Sequence, residues 1–364
     1  MRIAYISLHW PRTVTTGVGK KIRQQISTWQ ALGHDARFFM HTHPHNPASD
    51  LLDGEHFIYE KKNLMQTELN RIRASSKLVA SVRAFRPDII YLRYGMYVYP
   101  VHQLAVIAPI VEEINTNDLT QQEDLGKIFS LYNRYTRGIL LKRMNALITV
   151  SRELAVEPAF SSYKKVTEVI ANGIDLNAVQ PLPAPQNDVP RLLFIGSPGF
   201  SWHGVDKLIQ LAAALPEFQI DIVGYDKLSG YGPLPANLNL HGYLNSKEYL
   251  AVMAKADVAI SSLALHRIGL EEASPLKSRE CLAYGLPMIL AYIDTDLHDM
   301  DCDFLLQIPN AEDNIQSHKD VIRDFVYRMR GKRAERAKIA PIDQQYKETK
   351  RLAFFEKIIA ESRS

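Results

Sequence analysis

Glu272 and Glu280 fall within EEASPLKSRECLAYGLP (residues 271–287), a stretch that also writes out a helix start and stop. Ser274 reads as a cap and Pro275 as the first helical position, while Gly285 and Pro287 end the run after Tyr284. At ~1.5 Å of rise per helical residue, eight positions put the two carboxylates on the order of 10 Å apart. Carboxylate pairs that cleave glycosides by nucleophilic displacement stand roughly 5 Å apart on one bond, so this pair suits the two ends of one long ligand. Lys277 falls in the first helical turn, where a cation opposes the helix dipole. An anion placed there, such as a phosphate, would satisfy both.

Such a helix must follow a strand, and the chain supplies a regular series of them. Apolar runs at Arg2–Leu8, Ala36–Met40, Asp88–Leu92, Ile110–Ile114, Ala146–Val150 and Val166–Ile170 alternate with helical patterns, the first from Lys20 to Leu32. Residues 178–190 hold four prolines and no apolar periodicity, which reads as a linker. The pattern then restarts, with strands at Arg191–Gly196, Gln219–Val223, Asn237–His241, Asp257–Ser261 and Pro287–Ala291, and helices at Val205–Leu215 and Ser246–Ala256. The expected fold class is α/β, with two doubly wound parallel-sheet domains facing across a cleft. The first domain covers 1–180, a proline-rich hinge 181–190, and the second 191–343. The tail, 344–364, reads as a helix with Tyr346, Leu352, Phe355 and Ile359 on its apolar side, free to return to the first domain.

Two glycine loops occupy equivalent places after the first strand of each domain. Thr15-Thr16-Gly17-Val18-Gly19-Lys20 opens a helix, where backbone N–H groups face an anion. It is no dinucleotide fingerprint, because Ile22 stands where a third glycine belongs, and no P-loop, because no Ser or Thr follows Lys20. The second loop runs from Gly196 to Gly204. His41, His43 and His45 lie in a proline-bent segment without a carboxylate at ligand spacing and read as a polar loop at a strand end. Asp294, Asp296, Asp301 and Asp303 read as surface turns. No metal and no cofactor is expected, and Cys281 and Cys302 read as ordinary thiols.

Composition narrows the partners. No apolar run approaches the ~20 residues that span a bilayer, and MRIAYISLHWPR is too short and polar for a signal peptide, so a cytoplasmic location is expected. Between Lys61 and Arg86 seven basic residues face a single acid, Glu68, on a helix whose apolar side is Ile72, Val79, Val82 and Phe85. This is a solvated surface or, as the sharper reading, a contact for the anionic inner face of a membrane. No aromatic ladder accompanies it, which argues against nucleic acid.

Taken together, these residues resemble the retaining GT-B glycosyltransferases of family 4 along nearly the whole chain. Glu272 and Glu280 match the family's two glutamates, with Cys-Leu-Ala-Tyr-Gly-Leu-Pro following the second. Gly17-Val18-Gly19, Val150-Ser151 before a helix, Asn172-Gly173-Ile174-Asp175 and Gly204-Val205-Asp206 add to the match in order and spacing. The resemblance implies a nucleotide-sugar donor: Glu280 on the ribose, Glu272 at the transferred sugar, and backbone N–H groups from Ala273 through Ser274 to Leu276 on the diphosphate with Lys277. It also implies that Gly17 and Gly19 approach the donor and that the acceptor lies on the first-domain side. Ser197 and His203 occupy the places where the family usually has an Arg and a Lys on the diphosphate, which leaves Lys277 to compensate, with Arg279 and Arg267 as weaker candidates. Asn115 stands where a His is often found; it can hydrogen-bond a hydroxyl but cannot shuttle a proton. The implied activity is retaining, metal-independent transfer of a sugar to a glycan or lipid-linked acceptor, as in cell-surface polysaccharide synthesis. The alternatives are a nucleotide-sugar epimerase of the same fold and a non-catalytic sugar-nucleotide-binding partner.

Overall fold

Near-continuous apolar runs such as IAYISL and LLFI suit strands covered on both faces. They form two all-parallel sheets in a computed structural model that describes residues 1–8, 17–43, 52–123 and 126–363. The chain divides into two units, Met1–Ala171 with Gln344–Ser364, and Asn172–Asp343.

In the first unit, β1 (Arg2–Leu8), α1 (Gly17–Ala31), β2 (Asp35–Thr42), β3 (Glu55–Ile58), α2 (Leu64–Phe85), β4 (Ile89–Arg93) and β5 (Ile110–Ile114) follow in order. Then come α3 (Asp118–Glu123), α4 (Lys127–Leu141), β6 (Ala146–Thr149), α5 (Arg152–Val156), α6 (Pro158–Ser161) and β7 (Val166–Val169). The strand order β3-β2-β1-β4-β5-β6-β7 reverses direction between β1 and β4. At such a switch point the loops beyond the strand carboxyl ends part and leave room for a ligand.

The second unit repeats the plan. β8 (Arg191–Ile195), α7 (Val205–Ala214), β9 (Gln219–Val223), β10 (Leu238–Leu240), α8 (Ser246–Lys255) and β11 (Val258–Ile260) lead to a short strand β12 (Glu272–Ala273) and α9 (Leu276–Ala283). β13 (Met288–Leu290), β14 (Ile293–Asp294), β15 (Leu305–Gln307) and α10 (Asn314–Met329) follow. The sheet runs β10-β9-β8-β11-β13-β15, with its switch between β8 and β11, and β12 pairs apart with β14. The Gly196–Gly204 loop follows β8, and the two glutamates follow β11. Topology therefore sends both to the same crevice.

α11 (Gln344–Arg363) closes the chain on the first unit, where Trp29 Nε1 donates to Glu348 Oε2 at 2.7 Å and Arg351 Nη1 donates to the Tyr91 hydroxyl at 3.0 Å. Leu352, Phe355 and Ile359 are buried as expected, each apolar side chain worth about 1.5–3 kcal/mol. Tyr346 is not with them: it is 61% exposed. The inward face is set by Glu348, Arg351, Leu352 and Phe355, and a residue two before Glu348 points away from that stripe.

Three further expectations change. Residues 172–180, assigned to the first domain, belong to the second unit, where Ile174 N–H donates to Ile342 C=O. The proline-rich stretch is no loose hinge but a strap along the same unit: Arg333 donates to Leu182 O and Pro183 O, Arg330 to Asn187 O, and Arg336 to Val179 O at 2.6 Å. Prolines leave carbonyls without a partner strand, and arginines satisfy them. His41 lies in β2 rather than a loop, fully buried and stacked on Tyr59 with ring centroids 4.9 Å apart. Burial lowers its pKa to about 4. His45 and its flanking prolines, like Thr15 and Thr16, lie outside the described residues.

Candidate functional site

The site in the second unit is assembled from the turn before α9, α9 itself and the loop after β8. Glu272 is buried on β12, in register with Ile293, and Ala273 follows in register with Asp294. Ser274 does not cap α9. Its hydroxyl accepts the Asn172 N–H at 3.1 Å and its carbonyl accepts Asn172 Nδ2 at 2.8 Å, so Pro275 takes the cap position with no side-chain bond. The Asn-Gly-Ile-Asp segment thus braces the turn. Asn172 is held in return by Arg279 Nε at 3.0 Å, and Arg279 pairs with Asp294 through contacts of 2.6 and 3.0 Å and with Asp296 at 3.0 Å. Arg279 and Asp294 are therefore a buried ion pair, neither a diphosphate ligand nor a surface turn.

The first helical bonds of α9 come from Ser278 and Arg279 N–H to Pro275 O. The N–H groups of Leu276 and Lys277 lie ahead of them, at the electropositive end of the helix. Four residues along, Glu280 accepts the Tyr249 hydroxyl at 2.9 Å, which fixes its carboxylate toward α8.

Lys277 runs inward beneath this turn. Its ammonium nitrogen is buried, without a hydrogen-bond partner among the described residues, and lies 4.7 Å from the Phe194 ring centroid and 5.4 Å from that of Trp202. Contact with aromatic faces is worth about 0.5–2 kcal/mol and does not replace lost hydration. Burial accordingly brings its pKa down to about 7, with Cys281 acting weakly in the other direction.

His203 closes the same corner. Its ring packs on Trp202 at 4.3 Å and Phe200 at 5.2 Å, and its Nδ1 meets the Tyr225 hydroxyl at 3.1 Å. Tyr225 donates its proton to Ser197 O at 2.7 Å, so Nδ1 carries the imidazole hydrogen. Burial, reinforced by the neighbouring Lys277 charge, lowers the His203 pKa to about 3 and keeps the ring neutral at pH 7. Gly196 permits this packing: a Cβ there would meet His203 Nδ1 at 3.0 Å and Tyr225 Cε2 at 2.9 Å. Arg267 is already committed to Asp206, at 2.8 and 2.7 Å, and to Glu312. Of the three cations offered for a diphosphate, Lys277, Arg279 and Arg267, Lys277 alone has no hydrogen-bond partner among the described residues.

In the first unit, Gly17 and Gly19 form the start of α1, whose first turn contains no acid. Asn115 follows β5. Its Nδ2 donates to Glu113 Oε2 at 3.2 Å and its Oδ1 accepts Lys21 Nζ at 3.3 Å. Lys21 also pairs with Glu113 at 2.7 Å and Arg93 with Glu113 at 3.0 Å. Sequence reading missed Lys21, Arg93 and Glu113. A signal was there: two glutamates within IVEEI, an otherwise apolar strand, must face opposite sides of the sheet and each need an answer. Glu113 finds two cations. Glu112 finds no hydrogen-bond partner among the described residues, and burial, with Asp118 adding, raises its pKa to about 8.

Residues 15–178 match the family model Glycosyltransferase Family 4. Across 338 residues the chain is 24% identical to a glycogen synthase of Mycobacterium tuberculosis, covering 80% of this chain and 78% of that one. Among solved structures it is similar to sucrose-phosphate synthase from Thermosynechococcus elongatus, with TM-score 0.66, 16% identity and 99% of both chains covered. It is also similar to Anabaena Alr3699/HepE in complex with UDP and glucose, with TM-score 0.60, 14% identity, and 97% and 99% covered. Residues 15–178 thus resemble the family 4 glycosyltransferases, and the chain as a whole has the GT-B fold. No helix among the described residues is long and apolar enough to cross a membrane.

Proposed function

We propose that the protein moves a sugar from a nucleoside diphosphate sugar to a glycan or lipid-linked glycan acceptor, with retention of configuration and without a metal ion, in the synthesis of a cell-surface polysaccharide. The observation that carries this reading is the corner formed by α9 and the Gly196–Gly204 loop. The N–H groups of Leu276 and Lys277 precede the first helical bonds there, at the electropositive helix end, near a buried ammonium group with no hydrogen-bond partner among the described residues. A diphosphate supplies what each lacks, and its departure as an anion is the step such a corner stabilises. Glu280, oriented by Tyr249, takes the ribose hydroxyls. Glu272, on the strand leading into the turn, takes the transferred sugar. Asn115, held by Lys21 and Glu113, offers its amide to the acceptor hydroxyl without taking its proton. The similarity to a structure holding UDP and glucose supports a donor of that class.

Calorimetry with a panel of nucleoside diphosphates tests the assignment. Glu280→Ala should weaken binding of the free nucleotide and of the nucleotide sugar alike, by about 1.5–3 kcal/mol for a charged hydrogen-bonding partner. Glu272→Ala should spare the free nucleotide and lower turnover. Unchanged nucleotide affinity in Glu280→Ala would remove the ribose assignment. Nucleotide binding with no acceptor-dependent turnover would favour the non-catalytic binding partner.

A further inference from the structure

α4 is inverted for a helix on a protein surface. Its inward side carries Asn133 and Arg137, which donate to Asp118 at 2.6 to 2.8 Å, followed by Leu140 and Leu141. Its outward side carries Ile128, Leu131, Tyr132 and Tyr135, at 82, 56, 37 and 77% exposure, with Phe129 alongside at 50%. Positions 128, 131, 132 and 135 share one helical face, so the apolar stripe that normally meets the core here meets solvent. The helix contains no Asp or Glu, while Lys127 and Arg134 on it, and Lys142 and Arg143 just beyond it, are all exposed. Burial raises the Tyr132 hydroxyl pKa, with smaller effects from Arg71 and Glu68, which places α2 close by. The first turns of α2 add exposed Leu64, Met65 and Leu69, preceded by Lys61 and Lys62.

We propose that this face docks on an anionic lipid membrane, with Ile128, Leu131 and Tyr135 entering the headgroup layer and the basic residues meeting lipid phosphates. Exposed aliphatic and aromatic side chains with a basic surround are the composition of an interfacial helix. A second copy of the chain suits the face less well, because two-fold pairing sets basic rim against basic rim. The sequence pointed to the basic side of α2 for such a contact. The structure moves the apolar anchor to α4, because Leu78, Val79, Val82 and Phe85 of α2 are buried and the exposed apolar residues of α2, Leu64, Met65 and Leu69, are confined to its first turns.

Flotation of the full chain tests this, with vesicles of phosphatidylcholine plus phosphatidylglycerol compared with phosphatidylcholine alone. Binding should need the anionic lipid and weaken with salt. The triple change Ile128→Ser, Leu131→Ser, Tyr135→Ser should lower binding at least about tenfold. Lys127→Gln and Arg134→Gln should each cost roughly fivefold. Tyr135→Trp should show a blue-shifted emission, quenched by brominated lipid, only when anionic vesicles are present. All these positions are exposed, and an unchanged thermal midpoint confirms that each variant is folded. Vesicle binding that survives the triple change, absence of binding to anionic vesicles, or a dimer in solution that the triple change splits would each overturn the proposal.

Discussion

Two lysines with buried ammonium groups, one in each unit, sit at equivalent ends of parallel sheets in opposite circumstances. Lys21 pairs with Glu113 at 2.7 Å, touches Asn115, and keeps a pKa of about 8 despite full burial, because Glu113 opposes the cost of desolvation. Lys277 has aromatic rings on two sides, no hydrogen bond, and a pKa of about 7. The first is answered within the fold and belongs to its stability. The second is answered by nothing the described residues provide, and it is therefore the group whose state a bound anion changes most.

The largest effect that could break this contrast is on stability. Glu113→Ala removes the shared partner of Lys21 and Arg93 and should cost about 3–5 kcal/mol in urea unfolding. Loss of under 1 kcal/mol would show that this network is not the structural element described. Next, Lys277→Met should leave stability equal or slightly higher while weakening nucleoside diphosphate binding by about 1.5–3 kcal/mol.

The same lysine sets a pH dependence. Its folded pKa lies below its ordinary value, so the folded protein binds fewer protons than the unfolded chain between about pH 7 and the usual lysine range. Stability from this group therefore rises with pH across that window. Anion binding does the opposite to the site: it favours the charged form, so nucleotide affinity should fall above pH 7, by up to about tenfold per pH unit. Binding at pH 8 should take up a proton, visible as a calorimetric heat that varies with buffer ionisation enthalpy. Lys277→Met should abolish that uptake, whereas the neighbouring neutral His203 should not titrate in this range. The smallest effect is Tyr249→Phe, which removes the donor to Glu280 and should weaken nucleotide binding by about 0.5–1.5 kcal/mol with little change in stability.

What could be read from sequence follows from range. The long apolar strands were legible because each is buried on both faces and carries its own signal. β3 and β15 were not, since EHFI and LLQ are too short and too exposed to announce themselves. The glutamates, Lys277 and the helix between them were legible as a local motif. The cap was misread because Ser274 is claimed by Asn172, 102 residues earlier. Lys21, Arg93 and Glu113 were missed for the same reason: a lysine answered by a glutamate 92 positions away looks like any surface lysine.

The placement of α11 has a consequence for the order in which the protein is made. Trp29 and Tyr91 find their polar partners, Glu348 and Arg351, only in the last twenty or so residues of the sequence given. The whole of Asn172–Asp343 is synthesised in between. At about 5–20 residues per second, the first unit waits roughly ten to thirty seconds after its own strands have emerged before its final helix exists. Of the two units, the one whose strands emerge earlier is thus the later completed, and during that interval Trp29 and Tyr91 lack the partners that α11 brings.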